Sequence, residues 1–340
     1  MRAVAFAKSL PIDAPEALID IVVERPTPGP RDLLVKVEAV SVNPVDVKVR
    51  AGGDPPAPRI LGFDAAGTVA AIGRDATLFK PGDAVFYAGS NMRPGTNGEF
   101  HLVDERIVGR MPKTLSFADA AALPLTALTA WELFFDRIGI VRRPDLDMRS
   151  LLIVGGAGGV GSIAIQIACR LTGLTVIATA SRPETVAWVR ELGAHHVIDH
   201  RQPFAVQLAA IGMPAVDIVA SFAGTKSNAA EIVAVVAPEG RIGTIEGATG
   251  FGPAETDKMF RKSVGFHFEL MFTRSSLATA TMIGQHRILD EVAGLVDRGL
   301  IRSTRKTTLG PISAASLREA HRLVESGRMI GKVVVEGWPA

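Results

Sequence analysis

The feature that most constrains this chain is a glycine-rich loop that directly follows a short apolar strand and opens into a helix. Leu151–Val154 has the character of the strand, Gly155–Gly161 that of the loop, and Gly159–Leu171 that of the helix. The glycines that satisfy the spacing G-x-G-x-x-G are Gly156, Gly158 and Gly161. One glycine permits the tight turn, the next lets the backbone approach a pyrophosphate, and the third lets helix and strand pack closely. The helix N-terminus supplies N–H groups to phosphates, so the sequence predicts a dinucleotide site here.

Strands and helices alternate after this loop. Thr175–Thr179 and Val216–Ala220 read as strands, and Glu184–Leu192 and Glu231–Val236 read as helices. Further expected elements are the strand Arg241–Ile245, the helices Leu277–Arg298 and Ser313–Ser326, and the strand Lys332–Glu336. Alternation of this kind predicts βαβ units and a doubly wound parallel sheet, an α/β fold.

The first third of the chain has a different rhythm. Val35–Ala39 alternates apolar with charged residues, the period-two pattern of a half-buried strand. Pro26–Pro30 and Lys80–Asp83 are turn clusters ahead of apolar runs. Short strands between such turns predict a small β-barrel or sandwich. Near residue 116 the pattern becomes helical, with Ser116 as an N-terminal cap and apolar residues at helical spacing over Leu125–Ile138.

Composition limits the classes of function. The 340 residues suffice for two domains at about 150 residues each, and 47% hydrophobic residues suffice for a large core. The charge is +2 (37 basic against 35 acidic residues), which gives no support to nucleic-acid binding. The single cysteine, Cys169, rules out an intrachain disulfide framework and every multi-cysteine zinc site, and it favours a cytoplasmic location. The apolar stretch near 115–135 carries Asp119, Pro124 and Glu132, so we expect no transmembrane helix.

The end of the second strand indicates which dinucleotide binds. NAD sites place an acidic residue about 20 residues after the glycine loop to bind the ribose hydroxyls. Here Thr179 is followed by Ala180, Ser181 and Arg182, and no acid appears before Glu184. A serine and an arginine can bind a 2′-phosphate, which favours NADPH. The alternative is that Arg182 is a solvated residue near a helix start.

Further segments carry a family resemblance. Ser41–Asp46, Leu61–Gly67 and Leu123–Ala130, in order before the glycine loop, resemble the medium-chain dehydrogenase/reductase superfamily. Within it they resemble the quinone oxidoreductase (zeta-crystallin-like) branch and the group called zinc-type alcohol dehydrogenase-like proteins. The resemblance implies a GroES-like barrel over residues 1–123, rejoined by 304–340, and a Rossmann domain over 124–303. It also implies a nicotinamide and substrate cleft and a homodimer formed near Val264–Met271.

The chain departs from the true alcohol dehydrogenases of this superfamily at their zinc site. Those enzymes hold zinc with a cysteine, a Gly-His-Glu histidine and a later cysteine. Here the first two positions are Asn43 and Phe63, and the chain near the third reads Leu123–Thr126. Zinc needs three or four converging N, S or O ligands, and phenylalanine supplies none, so no metal is expected. Without a Lewis acid, a quinone or an α,β-unsaturated carbonyl is the expected hydride acceptor.

Four residues are candidates for the chemistry. Asn43 can orient a cofactor ribose or a substrate carbonyl because its amide both donates and accepts. Tyr87 is a possible phenolic donor, with a packed strand aromatic as the alternative. Asp46 and Asp64 are candidates for orientation or proton transfer, with structural hydrogen bonding as the alternative.

The resemblance also implies cofactor contacts. They fall near the nicotinamide, on the pyrophosphate and in turns at strand ends: Thr126 and Thr129; Gly158, Gly159 and Val160; Ser221, Phe222, Ala223, Phe272 and Thr273. Lys332 is a candidate for a cofactor phosphate, with a solvated lysine as the alternative. The favoured interpretation is a zinc-independent NADPH quinone or enone oxidoreductase. The alternatives are a zinc-dependent alcohol dehydrogenase with an atypical ligand set, and an NADPH-binding sensor or accessory protein with vestigial activity.

Overall fold

A computed structural model of the protein describes residues 1–145 and 147–339. Its strands, in chain order, are β1 (Arg2–Phe6), β2 (Ile19–Val22), β3 (Asp32–Ser41), β4 (Arg59–Ile60), β5 (Asp64–Ile72), β6 (Ala84–Tyr87), β7 (Phe100–Asp104), β8 (Val108–Arg110), β9 (Ser150–Val154), β10 (Thr175–Thr179), β11 (His196–Ile198), β12 (Val216–Ser221), β13 (Val236–Thr244), β14 (Gly265–Phe268), β15 (Arg305–Leu309) and β16 (Lys332–Glu336).

Its α-helices are α1 (Pro44–Ala51), α2 (Phe117–Ala121), α3 (Pro124–Trp131), α4 (Gly159–Leu171), α5 (Pro183–Glu191), α6 (Phe204–Ala210), α7 (Thr225–Val235), α8 (Pro253–Arg261), α9 (Thr273–Ser276), α10 (Ile283–Asp297) and α11 (Ala314–Glu325). Short 3-10 helices cover Pro15–Ala17 and Glu105–Ile107, and Glu132–Ile138 continues α3 as a π-helix. Within the described residues, no helix is both long and apolar enough to cross a membrane.

The first compact unit, Met1–Leu128 with Phe272–Ala340, is β-rich. Its larger sheet has the order β15-β16-β3-β5-β6-β8, with β7 also paired to β3, and its smaller sheet has the order β2-β1-β4. Along β3, Val35 and Val37 are buried while Lys36 faces solvent, which confirms the alternation expected from the sequence. The buried apolar side chains of these strands form one core, as a GroES-like β-domain requires.

The second unit, Thr129–Met271, is a doubly wound α/β domain. Its sheet has the order β11-β10-β9-β12-β13-β14, and every neighbouring pair is parallel. Leu151–Val154 in β9 is wholly buried, because helices cover both faces of such a sheet and leave no polar side to a central strand. The predicted Rossmann arrangement is confirmed.

One predicted helix was too long. The expected helix Leu277–Arg298 is helical only over α10 (Ile283–Asp297). The short helix α9 ends before it at Ser276, and Ala278 has a φ of 45°, a left-handed conformation that a helix cannot contain. The segment 272–303 also falls in the first unit, whereas the sequence analysis assigned it to the dinucleotide domain. The reason is that α10 packs on β8, where His286 Nδ1 lies 2.6 Å from the carbonyl oxygen of Val108.

Candidate active site

Asn43 and Asp46 stand at the start of α1, where they close the helix terminus. The backbone N–H of Asn43 donates to Asp46 Oδ2 at 2.8 Å, and the backbone N–H of Gly62 donates to Oδ1 at 2.9 Å. Gly62 has a φ of 100°, a conformation that favours glycine. Asp46 therefore fixes the turn that precedes Phe63 as well as the first turn of its own helix.

Asp64, the first residue of β5, lies at the centre of a buried polar cluster. Its Oδ1 accepts the backbone N–H of Leu125 at 2.7 Å, at the start of α3. Its Oδ2 accepts the side-chain amide of Asn43 at 2.9 Å and lies 3.1 Å from Lys332 Nζ. One carboxylate thus joins β5, α1, α3 and β16, segments far apart in the sequence.

Lys332 supplies the cation of this cluster. Its ammonium group donates to the carbonyl oxygen of Val42 at 3.0 Å, to Asn43 Oδ1 and to Asp64. The side chain is buried, and its three N–H donors are directed at these three oxygens. The structure corrects the expectation that Lys332 binds a cofactor phosphate, and it also excludes the solvated lysine considered as the alternative.

The cluster contains two buried carboxylates and one ammonium group. Burial raises the pKa of Asp46 to about 7, against the hydrogen bond from Asn43. Burial also raises the pKa of Asp64, although Lys332 and Asn43 act in the opposite direction. Burial lowers the pKa of Lys332, which Asp64 counteracts. The two carboxylates hold backbone and side-chain N–H groups, which is the structural role weighed for both from the sequence.

Tyr87 belongs to the core of the first unit. Its hydroxyl lies 3.2 Å from His101 Nδ1, and the two rings stack with centroids 5.5 Å apart. Nε2 of His101 lies 3.0 Å from the carbonyl oxygen of Pro94, which can only accept, so Nε2 carries the proton and Nδ1 accepts from the phenol. Burial raises the pKa of Tyr87 and lowers that of His101 to about 4. In this structure Tyr87 has the packed position considered as the alternative to a phenolic donor.

Phe63 stands at the position where the resemblance noted in the sequence would place the histidine ligand of a zinc enzyme. Its ring is buried and lies 4.9 Å, centroid to centroid, from the ring of Phe272. The Asn43 amide, at the first ligand position, is bound to Asp64 and Lys332. Across the described ranges, no three His, Cys, Asp or Glu residues converge as a metal site would require. The residues present therefore do not fit a zinc ion.

The glycine loop of the second unit has the geometry that a pyrophosphate site requires. A Cβ at Gly161 would lie 2.2 Å from the carbonyl oxygen of Gly155, and one at Gly156 would lie 2.9 Å from Ala178 Cβ. Gly158 is the N-terminal cap of α4, and no side chain in the described structure caps this helix. The N–H groups of the first turn, at Gly159 and Val160, thus remain for a phosphate, and the loop fits a dinucleotide.

Other predicted cofactor residues of the second unit lie at the same edge of the sheet. Ser181 and Arg182 follow β10, and Ser221–Ala223 ends β12 and continues beyond it; both strands pair in parallel with β9. Arg182 Nη1 lies 3.3 Å from Glu184 Oε1. Arg201, which is not among the residues predicted from the sequence, also reaches this turn and donates through Nη2 to the carbonyl oxygen of Ser181 at 2.8 Å.

The remaining cofactor candidates are placed on helices. Thr126 and Thr129 are buried along α3, and Thr126 Oγ1 donates to the carbonyl oxygen of Leu123 at 3.0 Å. Phe272 is buried against Phe63, and Thr273 is the first residue of α9. Their roles toward a cofactor stay predictions.

Comparison with known proteins identifies the family. Residues 29–129 match the alcohol dehydrogenase GroES-like domain, and residues 192–335 match the zinc-binding dehydrogenase family. The chain belongs to the medium-chain dehydrogenase/reductase superfamily of oxidoreductases.

Individual relatives agree with this assignment over nearly the whole length. A zinc-type alcohol dehydrogenase-like protein of Staphylococcus aureus is 41% identical over 336 residues, which are 98% of this chain and 99% of the relative. A solved structure from Rhizobium etli CFN 42, provisionally named as a zinc-dependent alcohol dehydrogenase, is 54% identical with a TM-score of 0.95 and covers 100% of this chain and 99% of its own. The quinone oxidoreductase of Pseudomonas syringae pv. Tomato DC3000 is 25% identical with a TM-score of 0.80, and the match covers 99% of both chains.

Proposed function

We propose that this protein transfers hydride from NADPH to a quinone or an α,β-unsaturated carbonyl and uses no catalytic metal. The observation that carries the proposal is the state of the two ligand positions. Asn43 is bound to Asp64 and Lys332, and Phe63 is packed on Phe272. Neither asparagine nor phenylalanine is a zinc ligand of the usual kind. A conjugated carbonyl compound or a quinone accepts hydride without the help of a metal ion. Resemblance to a quinone oxidoreductase adds support.

The choice of NADPH rests on the end of β10. Ser181 and Arg182 offer a hydroxyl and a guanidinium group, and no acidic side chain stands between Thr179 and Glu184. A guanidinium group binds a phosphate through paired N–H donors, whereas a carboxylate at this place would repel it.

The residues of this chain divide the work between binding and positioning. The first turn of α4 binds the pyrophosphate through its N–H groups, and Arg182 binds the 2′-phosphate. When bound, NADPH supplies a hydride from C4 of its nicotinamide. Asp64 fixes the start of α3 through Leu125, and Asp46 fixes the turn before Phe63. The proton that completes the reduction comes from water or from a nearby side chain.

The test is NADPH consumption with phenanthrenequinone as acceptor, on protein treated with a chelator. We expect turnover to survive chelation and to be unchanged by added zinc. Activity that returns only with zinc would establish the metal-dependent alternative and refute the proposal. Tight NADPH binding with no turnover on any quinone or enone would favour the sensor alternative.

We also propose that the protein forms a homodimer through β14. This strand is at one edge of the parallel sheet. Its last residue, Phe268, is 53% exposed, and Leu270 just after the strand is 56% exposed. An unpaired sheet edge with apolar neighbours is a template for pairing with a second copy. Sedimentation should give twice the chain mass of 35.9 kDa, and a monomer at all concentrations would contradict the proposal.

A cytosolic location is the third proposal, and it rests on the one cysteine. The Cys169 thiol donates to the carbonyl oxygen of Gly193 at 3.1 Å, and burial raises its pKa to about 11. A chain with a single thiol gains nothing from an oxidising compartment. Fractionation of the native cells should recover the protein in the cytosol, and recovery from another compartment would contradict this.

A further inference from the structure

The turn that leaves β11 lies directly beside the Ser181 turn. β10 and β11 are neighbouring parallel strands, in register with Thr179 opposite Ile198. The backbone N–H of Ala180 then donates to the carbonyl oxygen of Ile198 at 2.9 Å. Parallel strands end at the same edge of a sheet, so residues 199–201 meet residues 180–182 where the ribose of a bound dinucleotide would lie.

Arg201 is held in this turn by a dense set of hydrogen bonds. Its Nη2 donates to the carbonyl oxygen of Ser181 at 2.8 Å and to Asp199 Oδ2 at 2.7 Å. Its Nε and its backbone N–H both donate to Asp199 Oδ1, at 3.0 and 2.9 Å. The side chain of Gln207, on α6, anchors Asp199 in turn. The backbone N–H of Asp199 donates to Gln207 Oε1 at 2.7 Å, and Gln207 Nε2 donates to the carbonyl oxygen of Asp199 at 2.9 Å.

The guanidinium group is nevertheless open to a ligand. The Arg201 side chain is 61% exposed, and its second terminal nitrogen, Nη1, is not used in the contacts with Asp199 and Ser181. Its direction is set by the turn before any ligand arrives. An anion reaching the Ser181 turn would therefore meet a preorganised donor at little entropic cost.

We propose that Arg201 is a second specificity-determining residue for the 2′-phosphate of the cofactor, acting with Arg182 from the neighbouring strand end. The inference rests on the proposed NADPH dependence. Two guanidinium groups on adjacent strand ends can bind one phosphate from two directions and place a second positive charge beside it. A ribose without the phosphate offers no charge for either group, so Arg201 contributes to selectivity rather than to binding in general.

Asp199 would favour NADH over NADPH if its carboxylate were available, since a carboxylate at this edge of the sheet can accept hydrogen bonds from the ribose hydroxyls. Its two oxygens, however, already accept from the side chain and backbone of Arg201. The hydrogen bond from Arg201 is also the main cause of its lowered pKa. The pair is therefore electrically balanced, and a phosphate approaching Nη1 does not meet an uncompensated carboxylate.

The experiment compares 2′,5′-ADP with 5′-AMP, which differ only in the 2′-phosphate, by calorimetric titration of the full chain. Arg201→Ala should weaken 2′,5′-ADP binding about tenfold, the effect of one charge-assisted hydrogen bond, and leave 5′-AMP binding unchanged. Arg201→Lys keeps the charge but loses the two-pronged guanidinium geometry, so its affinity for 2′,5′-ADP should lie between those of the parent protein and Arg201→Ala.

Arg143→Ala is the matched control. Arg143 forms the same i,i+2 fork with Asp145, with Nε to Oδ1 at 3.0 Å and Nη2 to Oδ2 at 2.8 Å, away from this edge of the sheet. Arg143→Ala should leave the binding of both 2′,5′-ADP and 5′-AMP unchanged. Equal losses of both ligands in Arg201→Ala, or no loss, would overturn the inference and reduce Arg201 to a clamp on the Ser181 turn. If the unchanged protein binds both ligands equally, the proposed NADPH preference itself fails.

Discussion

Lys332→Met tests whether the buried cluster is held together by charge. The substitution removes the ammonium group 3.1 Å from Asp64 Oδ2 and keeps an apolar stem of similar length. Asp64 has no exposed surface, so its carboxylate would be left buried without a counter-charge. Breaking a buried ion pair from one side costs about 3–5 kcal/mol. Since Asn43 and Leu125 still donate to Asp64, we expect the lower end of that range.

The assay is urea unfolding followed by tryptophan fluorescence. Trp338 reports on the first unit, because its indole N–H donates to the carbonyl oxygen of Val37 at 3.0 Å. Lys36→Met is the matched control. Lys36 Nζ lies 3.0 Å from Glu38 Oε1, but the Lys36 side chain is 58% exposed, so the urea midpoint of this variant should barely move. Asp64→Asn combined with Lys332→Met removes both charges of this ion pair, and it should recover part of the loss.

The pH dependence of Lys332→Met has a definite sign. Burial already raises the pKa of Asp64, and losing Lys332 raises it further. Asp64 in the folded variant therefore takes up a proton at a higher pH than Asp64 in the unfolded chain. The difference in free energy of unfolding between the variant and the parent protein should shrink as the pH falls toward about 4, the pKa of an unfolded aspartate. A loss no greater than that of Lys36→Met, or a double variant as unstable as Lys332→Met alone, would refute the charge argument.

Three other predictions concern single residues. Burial beside Arg50 lowers the pKa of His321 to about 3, so between about pH 6.5 and 3 only the unfolded chain binds that proton. The free energy of unfolding therefore decreases as the pH is lowered through this range. His321→Leu should reduce the decrease in the urea midpoint between pH 7.5 and 4.5. Arg182→Ala should weaken NADPH binding far more than NADH binding in a fluorescence titration, and equal losses would contradict its assignment. In Gly158→Ala the new Cβ would lie 3.5 Å from the carbonyl oxygen of Gly155, an ordinary contact, so this variant should keep its thermal midpoint and lose dinucleotide affinity. In Gly161→Ala the Cβ would lie 2.2 Å from the same oxygen, so this variant should lose both stability and affinity.

Local patterns in the sequence placed many elements accurately. The strands Thr175–Thr179 and Lys332–Glu336 have the predicted bounds, because runs of β-branched and apolar residues between turns leave few alternatives. Ser116 caps α2, accepting the backbone N–H of Asp119. The glycine loop was interpretable because each glycine there answers a separate steric demand.

What the sequence could not give depends on contacts between distant segments. Lys332 lies 289 positions from Asn43, and a buried lysine looks like a solvated one until its partners are known. The break at Ala278 and the packing of α10 on β8 are likewise tertiary outcomes that helical periodicity does not encode. Arg201 was missed because its closeness to Ser181 follows from strand register, which one sequence does not reveal.

The place of β16 in the larger sheet has a consequence for synthesis. β16 lies between β15 and β3, so a strand from the end of the described chain completes the pairing of one from its beginning. The ribosome adds about 5–20 residues per second, and it releases Thr129–Met271 as a continuous segment before Lys332 exists. On a nascent chain the α/β unit can therefore form first. The β-rich unit, with Asp64 still lacking its cation, stays incomplete until translation reaches β16.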